Sequence, residues 1–78
     1  MFNKYIKCII QCEDKNMIYY TNDDRSYSIC EFSFKFIEPE KTKILYEYDE
    51  DPSIYEIDKQ YKAKFNEKDG SFKIIKEI

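Results

Sequence analysis

A chain of 78 residues has room for one domain and a single hydrophobic core. It contains no histidine, three cysteines and a net charge of −3. The commonest general base and metal ligand is thus absent, the odd cysteine count argues against a closed disulfide framework, and the charge argues against a protein dominated by phosphate contacts. No run of about 18 apolar residues is present, which excludes a transmembrane helix.

Eight Tyr and six Phe supply the core material. Burying one such side chain is worth roughly 1.5–3 kcal/mol, so a handful suffices and the remaining tyrosines are candidate contacts. Ile and Lys each occur twelve times, while Leu, Arg, Gly and Ala occur once and Val is absent. By the genetic code this is the bias of an A+T-rich coding sequence, common among phages and other viruses.

Lys4 and Lys7 precede a short apolar stretch that Gln11, Glu13 and Asp14 interrupt. A signal peptide needs a longer apolar region and a small-residue cleavage site, so a cytoplasmic location is expected, in the host cell if the source is a phage or virus. From Asn3 to Cys12 the residues Ile6, Cys8, Ile10 and Cys12 share one face. Glu13-Asp14-Lys15-Asn16 reads as a polar four-residue turn pairing Cys12 with Met17 and Ile10 with Tyr19. In the strand up to Cys12, Cys8 and Cys12 lie about 13 Å apart, beyond the Cα limit of about 7 Å for a disulfide. The three cysteines read as small buried hydrophobes.

Asn22-Asp23-Asp24-Arg25-Ser26 is a second turn, dense in residues that bond their own backbone. The strongest strand follows, Tyr27 to Ile37, with Cys30, Phe32, Phe34 and Phe36 on one face and Glu31, Ser33 and Lys35 on the other. Pro39 ends it. Thr42 to Tyr48 is a further strand, with Ile44, Tyr46 and Tyr48 opposite Leu45 and Glu47. Asp51-Pro52 has the form of a helix N-cap with proline at the first position, predicting one short helical turn near residues 51–57. In the last hairpin, Tyr61, Ala63 and Phe65 alternate with lysines, as do Phe72 and Ile74. Asp69-Gly70 predicts a two-residue turn pairing Phe65 with Ile74 and Tyr61 with Ile78; a four-residue loop would keep the same face.

These elements predict one all-β domain spanning residues 1–78, an antiparallel barrel or sandwich of five to six strands, because an open flat sheet leaves edges and a naked face. Residues 58–75 are similar to the closing hairpin of small SH3-like and OB-like barrels.

No G-x-S-x-G, phosphate-loop, dinucleotide-binding or paired C-x-x-C pattern occurs. Neither catalysis, a metal nor a cofactor is expected, and the chain reads as a binding module. Its charge is polarised: zero net over residues 1–37, −6 over 38–58 and +3 over 59–78. The candidate partner-binding residues are Tyr46, Tyr48, Asp49, Glu50, Asp51, Tyr55, Glu56 and Asp58, where carboxylates among flat rings would suit a basic groove built for nucleic acid. The leading expectation is therefore an inhibitor, encoded by a phage or mobile element, that blocks a nucleic-acid-binding protein. An alternative is a nucleic-acid-binding barrel that stacks bases on Tyr and Phe and tracks phosphates with Lys59, Lys62, Lys64 and Lys73. A third is a subunit of a larger assembly, or a homo-oligomer, joined through strand edges.

Overall fold

In the computed structural model, residues 4–78 are described; Asn3, the expected start of the first strand, lies outside them. Five strands form: β1 (Tyr5–Asn22), β2 (Arg25–Glu38), β3 (Ile44–Asp49), β4 (Gln60–Asn66) and β5 (Phe72–Glu77). All neighbours are antiparallel, in the order β3-β2-β1-β4-β5. Three hairpin-connected strands, with a fourth returning beside the first, make a Greek key. Rolled until β3 met β5, this order would close a five-stranded barrel. The sheet stays open, with β3 and β5 as its edges.

The first correction concerns residues 13–16. They form no turn; β1 runs straight through them. Pairing shifts between Cys12↔Phe34 and Asp14↔Ser33, so Glu13 is the extra residue of a β-bulge. Before it, the even-numbered Cys8, Ile10 and Cys12 face inward; after it, Lys15 pairs with Phe32 and Met17 with Cys30. The polar run falls on the core side only at Lys15, whose ammonium lies 5.7 Å from the Phe32 ring centroid. Its stem covers apolar surface while its head stays outside.

The inner face carries large rings on β2, with the small Cys8 and Cys12 flanking Ile10 on β1 and Ala63 on β4. Phe32 and Phe34 are fully buried, with Cys8, Cys12 and Ala63 at or below 5% exposure. Rings therefore lean over β1 to reach the far strands: Phe36 meets Phe65 at 5.3 Å, and Phe34 meets Tyr61 at 6.1 Å and Phe72 at 6.4 Å. In a flat sheet β2 and β5 would stand about 14 Å apart. The Phe34–Phe72 contact requires the sheet to roll.

Two connections roof the trough that results. Tyr55, from the β3–β4 crossover, sets its ring edge-on to Phe32, Phe34 and Tyr61 at 5.0, 5.3 and 5.3 Å. Lys41 and Lys43, from the β2–β3 connection, lie over Phe65 at 5.4 and 5.0 Å, and Lys41 pairs with Glu67. These roofs do the work expected of a second sheet. The crossover holds turns but no helix. Asp51 accepts bonds from Ser53 N–H and Oγ at 2.9 and 2.6 Å, an Asx turn that competes with helix initiation. At its end, Asp58 has φ 72° and donates its N–H to Cys12 O at 2.8 Å, docking the crossover against the bulge.

The C-terminal hairpin uses the four-residue loop rather than the Asp69-Gly70 two-residue turn. Phe65 pairs with Phe72, and Gly70, at φ 77°, donates to Asn66 O at 2.9 Å. Side chains close the loop: Asp69 accepts from Ser71 N–H and Oγ, and Asn66 Oδ1 from Lys68 N–H. Phe72 thereby takes the place over Phe34. A further irregularity, between Lys62 and Ala63, sets Tyr61 opposite Glu77, where the two-residue turn predicts Ile78.

β1 and β2 extend past the other strands as a two-stranded ribbon. The radius of gyration is 14.1 Å, against about 11.5 Å for a compact chain of this length.

Deletion variants test the bulge. Removing Glu13 leaves Cys12, Lys15 and Met17 on the inner face, so the variant should still unfold cooperatively in urea. Removing Glu31 instead makes Cys30 and Phe32 adjacent, so that they point to opposite faces, and should abolish the cooperative transition.

Candidate functional site

The expected acidic, tyrosine-rich segment separates into two parts. Leu45 points inward from β3, so Tyr46 and Tyr48 point outward, 49% and 52% exposed. Asp49 ends β3 half-buried, with Glu50 and Asp51 exposed beyond it. Tyr55, Glu56 and Asp58 belong to the roof and its joint. Tyr55 is packed on the core, and burial, followed by the charges of Glu47 and Asp49, raises its phenol pKa. The Glu56 N–H donates to Tyr61 Oη at 2.9 Å and its carboxylate faces Lys59 at 3.9 Å.

The outer face of β1, β2 and β3 supplies what the crossover does not. Tyr20 pairs with Tyr27 across the ribbon, their rings stacked at 5.0 Å and 19°. Below them Ile18 pairs with Ile29, then Asn16 with Glu31 and Glu31 with Tyr48, then Asp14 with Ser33 and Ser33 with Tyr46. Tyr48 Oη donates to Glu31 Oε2 at 2.8 Å, and this bond holds the Tyr48 phenol pKa above its ordinary value. Tyr20, Tyr27, Tyr46 and Tyr48 are each between 43% and 52% exposed. The Glu31 carboxylate lies among them and Glu50 follows at the end of β3, whereas Asp49, paired with the inward Cys30, shares the inner side with Leu45 and acts on Tyr55; Lys35 of the tyrosine face is drawn to Glu13 at 3.7 Å. The sequence signal for Tyr27 is its phase opposite Cys30. The signal for Tyr20 is likewise its phase opposite Met17 and Tyr19, which a turn or a bulge at residues 13–16 leaves the same.

Of the candidate lysines, Lys62, Lys64 and Lys73 stand on the outer face of β4 and β5, opposite the buried Tyr61, Ala63 and Phe65. Lys59 lies apart from them in the crossover, beside Glu56.

The three thiols are free and buried. Cys8 Sγ donates to Ala63 O at 3.4 Å, and burial raises the pKa of Cys8 and Cys12. Among the described residues no three Cys, Asp or Glu side chains gather as metal ligands. No described helix is long and apolar enough to cross a membrane. Comparison with family models, curated proteins and solved structures finds no match.

Two outcomes follow. Glu31→Gln removes the charged acceptor, so the Tyr48 phenol should titrate at lower pH; ultraviolet difference titration reads the shift, and an unmoved curve rejects the bond. Cys8 and Cys12 have raised folded-state pKa values, so their contribution to stability is complete below the ordinary thiol value of 9.0. It is lost as pH rises through the folded-state values. Urea midpoints should fall progressively above about pH 9 in the wild type and less so in a Cys8→Ala, Cys12→Ala variant.

Proposed function

We propose that this chain is a non-enzymatic protein-binding module whose contact surface is the tyrosine face of β1, β2 and β3. The observation that carries this reading is the exposure of Tyr20, Tyr27, Tyr46 and Tyr48 on one side of three adjacent strands. Tyrosine offers a large flat area at low entropic cost and is enriched in interface cores. The neighbouring Glu31 and Glu50 favour a partner with a basic surface. In its most specific form, the module inhibits a nucleic-acid-binding protein by covering that basic surface, in the cytoplasm of a cell infected by the phage or mobile element that encodes it. The A+T-rich composition and small size support that source. The free edges of β3 and β5 support self-association as a second mode of contact.

A pull-down from host lysate tests the reading. The Tyr27→Ala, Tyr46→Ala, Tyr48→Ala variant should lose its partner, since each central tyrosine typically carries about 2 kcal/mol or more. Glu50→Lys should weaken capture, most visibly at low salt, whereas Glu56→Lys, on the roof, should not. Undiminished capture by the triple tyrosine variant would reject the proposed surface.

A further inference from the structure

We propose that the outer face of β1, β4 and β5 is a second binding site, which holds the phosphate backbone of single-stranded nucleic acid on a grid of five lysines.

Lys7 pairs with Lys64, and Lys64 with Lys73, giving one row of three lysines across three strands. The adjacent row runs Ile9, Lys62, Lys76. All five ammonium-bearing side chains are exposed, and none forms an ion pair with a described residue. Like charges directly opposite one another destabilise a sheet. Lysines on an edge strand are expected as protection against aggregation, which accounts for Lys73 and Lys76 on β5. It does not account for Lys7, Lys62 and Lys64, which stand on the interior strands β1 and β4. An anionic ligand relieves this repulsion.

The grid surrounds apolar surface. A depression of about 400 Å³ is lined by Lys7, Ile9, Glu38, Lys62 and Ile75, with Cys8 and Ala63 at its floor. Ile75 is the extra residue where the β4–β5 pairing shifts. Tyr5, two residues before Lys7 on the same face of β1, adds a ring that is 47% exposed. Flat apolar surface among cations is the combination that takes a base and its phosphates together. Along a strand the two rows are about 6.7 Å apart, and three strands span about 10 Å, an area for a few nucleotides.

Curvature selects the single strand. The lysines lie on the outside of a rolled sheet, and the grid has no protruding helix or ribbon to enter a duplex groove. A flexible strand follows such a surface. Glu38 at the depression favours a base, whose amino group can donate to it, over the headgroups and acyl chains of an anionic membrane.

Fluorescence anisotropy with a short labelled oligothymidylate tests the site. Binding should weaken with salt with a slope of about −0.7 per phosphate neutralised, giving roughly −2 to −3.5 for three to five contacts. Lys64→Gln and Lys73→Gln should each reduce that slope by about 0.7, and the pair together should weaken binding at least tenfold. Lys59→Gln should leave it unchanged. The Tyr27→Ala, Tyr46→Ala, Tyr48→Ala variant should bind the oligonucleotide as the wild type does, so failure here and failure of the protein-binding reading are distinguishable. Circular dichroism should show the Lys64 and Lys73 variants folded, because each substitution removes repulsion, and Lys59→Gln folded, because it loses only an exposed ion pair with Glu56. Salt-insensitive binding, equal loss in Lys59→Gln and Lys64→Gln, a stronger response to duplex, or binding confined to anionic vesicles would each overturn the proposal.

Discussion

Everything in this molecule depends on packing large rings from one strand over small residues on the next. Phe34 is fully buried at the centre, within ring-contact distance of Phe32, Tyr55, Tyr61 and Phe72. Those partners come from β2, the crossover, β4 and β5, so one side chain ties together most of the chain. Cys8, Cys12 and Ala63 leave room for the rings, and Ile10, opposite both Phe36 and Tyr61, fills the space between them. Truncating Phe34 to alanine would forfeit about 3–5 kcal/mol, a large share of the stability a domain this size can have. The cysteines thus have a mechanical role: they let the sheet roll.

Rolling the sheet also decides what the solvent meets. The inner face is consumed by the core and its two roofs, so recognition falls to the outer face. That face is divided by composition. On β1, β2 and β3 it offers stacked and exposed tyrosines beside carboxylates; on β1, β4 and β5 it offers lysines around an apolar depression. β1 belongs to both halves because it pairs with β4 through its first part and with β2 along most of its length. A protein partner and a nucleic acid would occupy neighbouring territory on one surface.

Strong alternation was legible without coordinates. The inward face Cys30, Phe32, Phe34, Phe36 and the β4 face Tyr61, Ala63, Phe65 both lie where period two puts them. The bulge was not legible, because an extra residue in a polar run looks the same as a turn: both interrupt the alternation and restart it in the other phase. Glu13-Asp14-Lys15-Asn16 has turn composition, yet Lys15 covers a ring and the others face solvent or pair. The bulge merges two expected strands into one. Tyr55 was misplaced for a different reason, since a crossover has no period from which to read its inward side chain. At the last hairpin Asp69-Gly70 marks the turn correctly but not its length, which Asn66, Asp69 and Ser71 set through side-chain bonds.

The central claim is therefore that β1 is one bulged strand, since the placing of both Cys12 and Met17 against β2, and with it the Tyr20–Tyr27 pair, follows from it. Cross-strand nuclear Overhauser effects measure this directly. Contacts from Cys12 to Phe34 and from Met17 to Cys30, with none between Cys12 and Met17, are the result the account predicts. A close Cys12–Met17 pair, with a turn at residues 13–16, would contradict it.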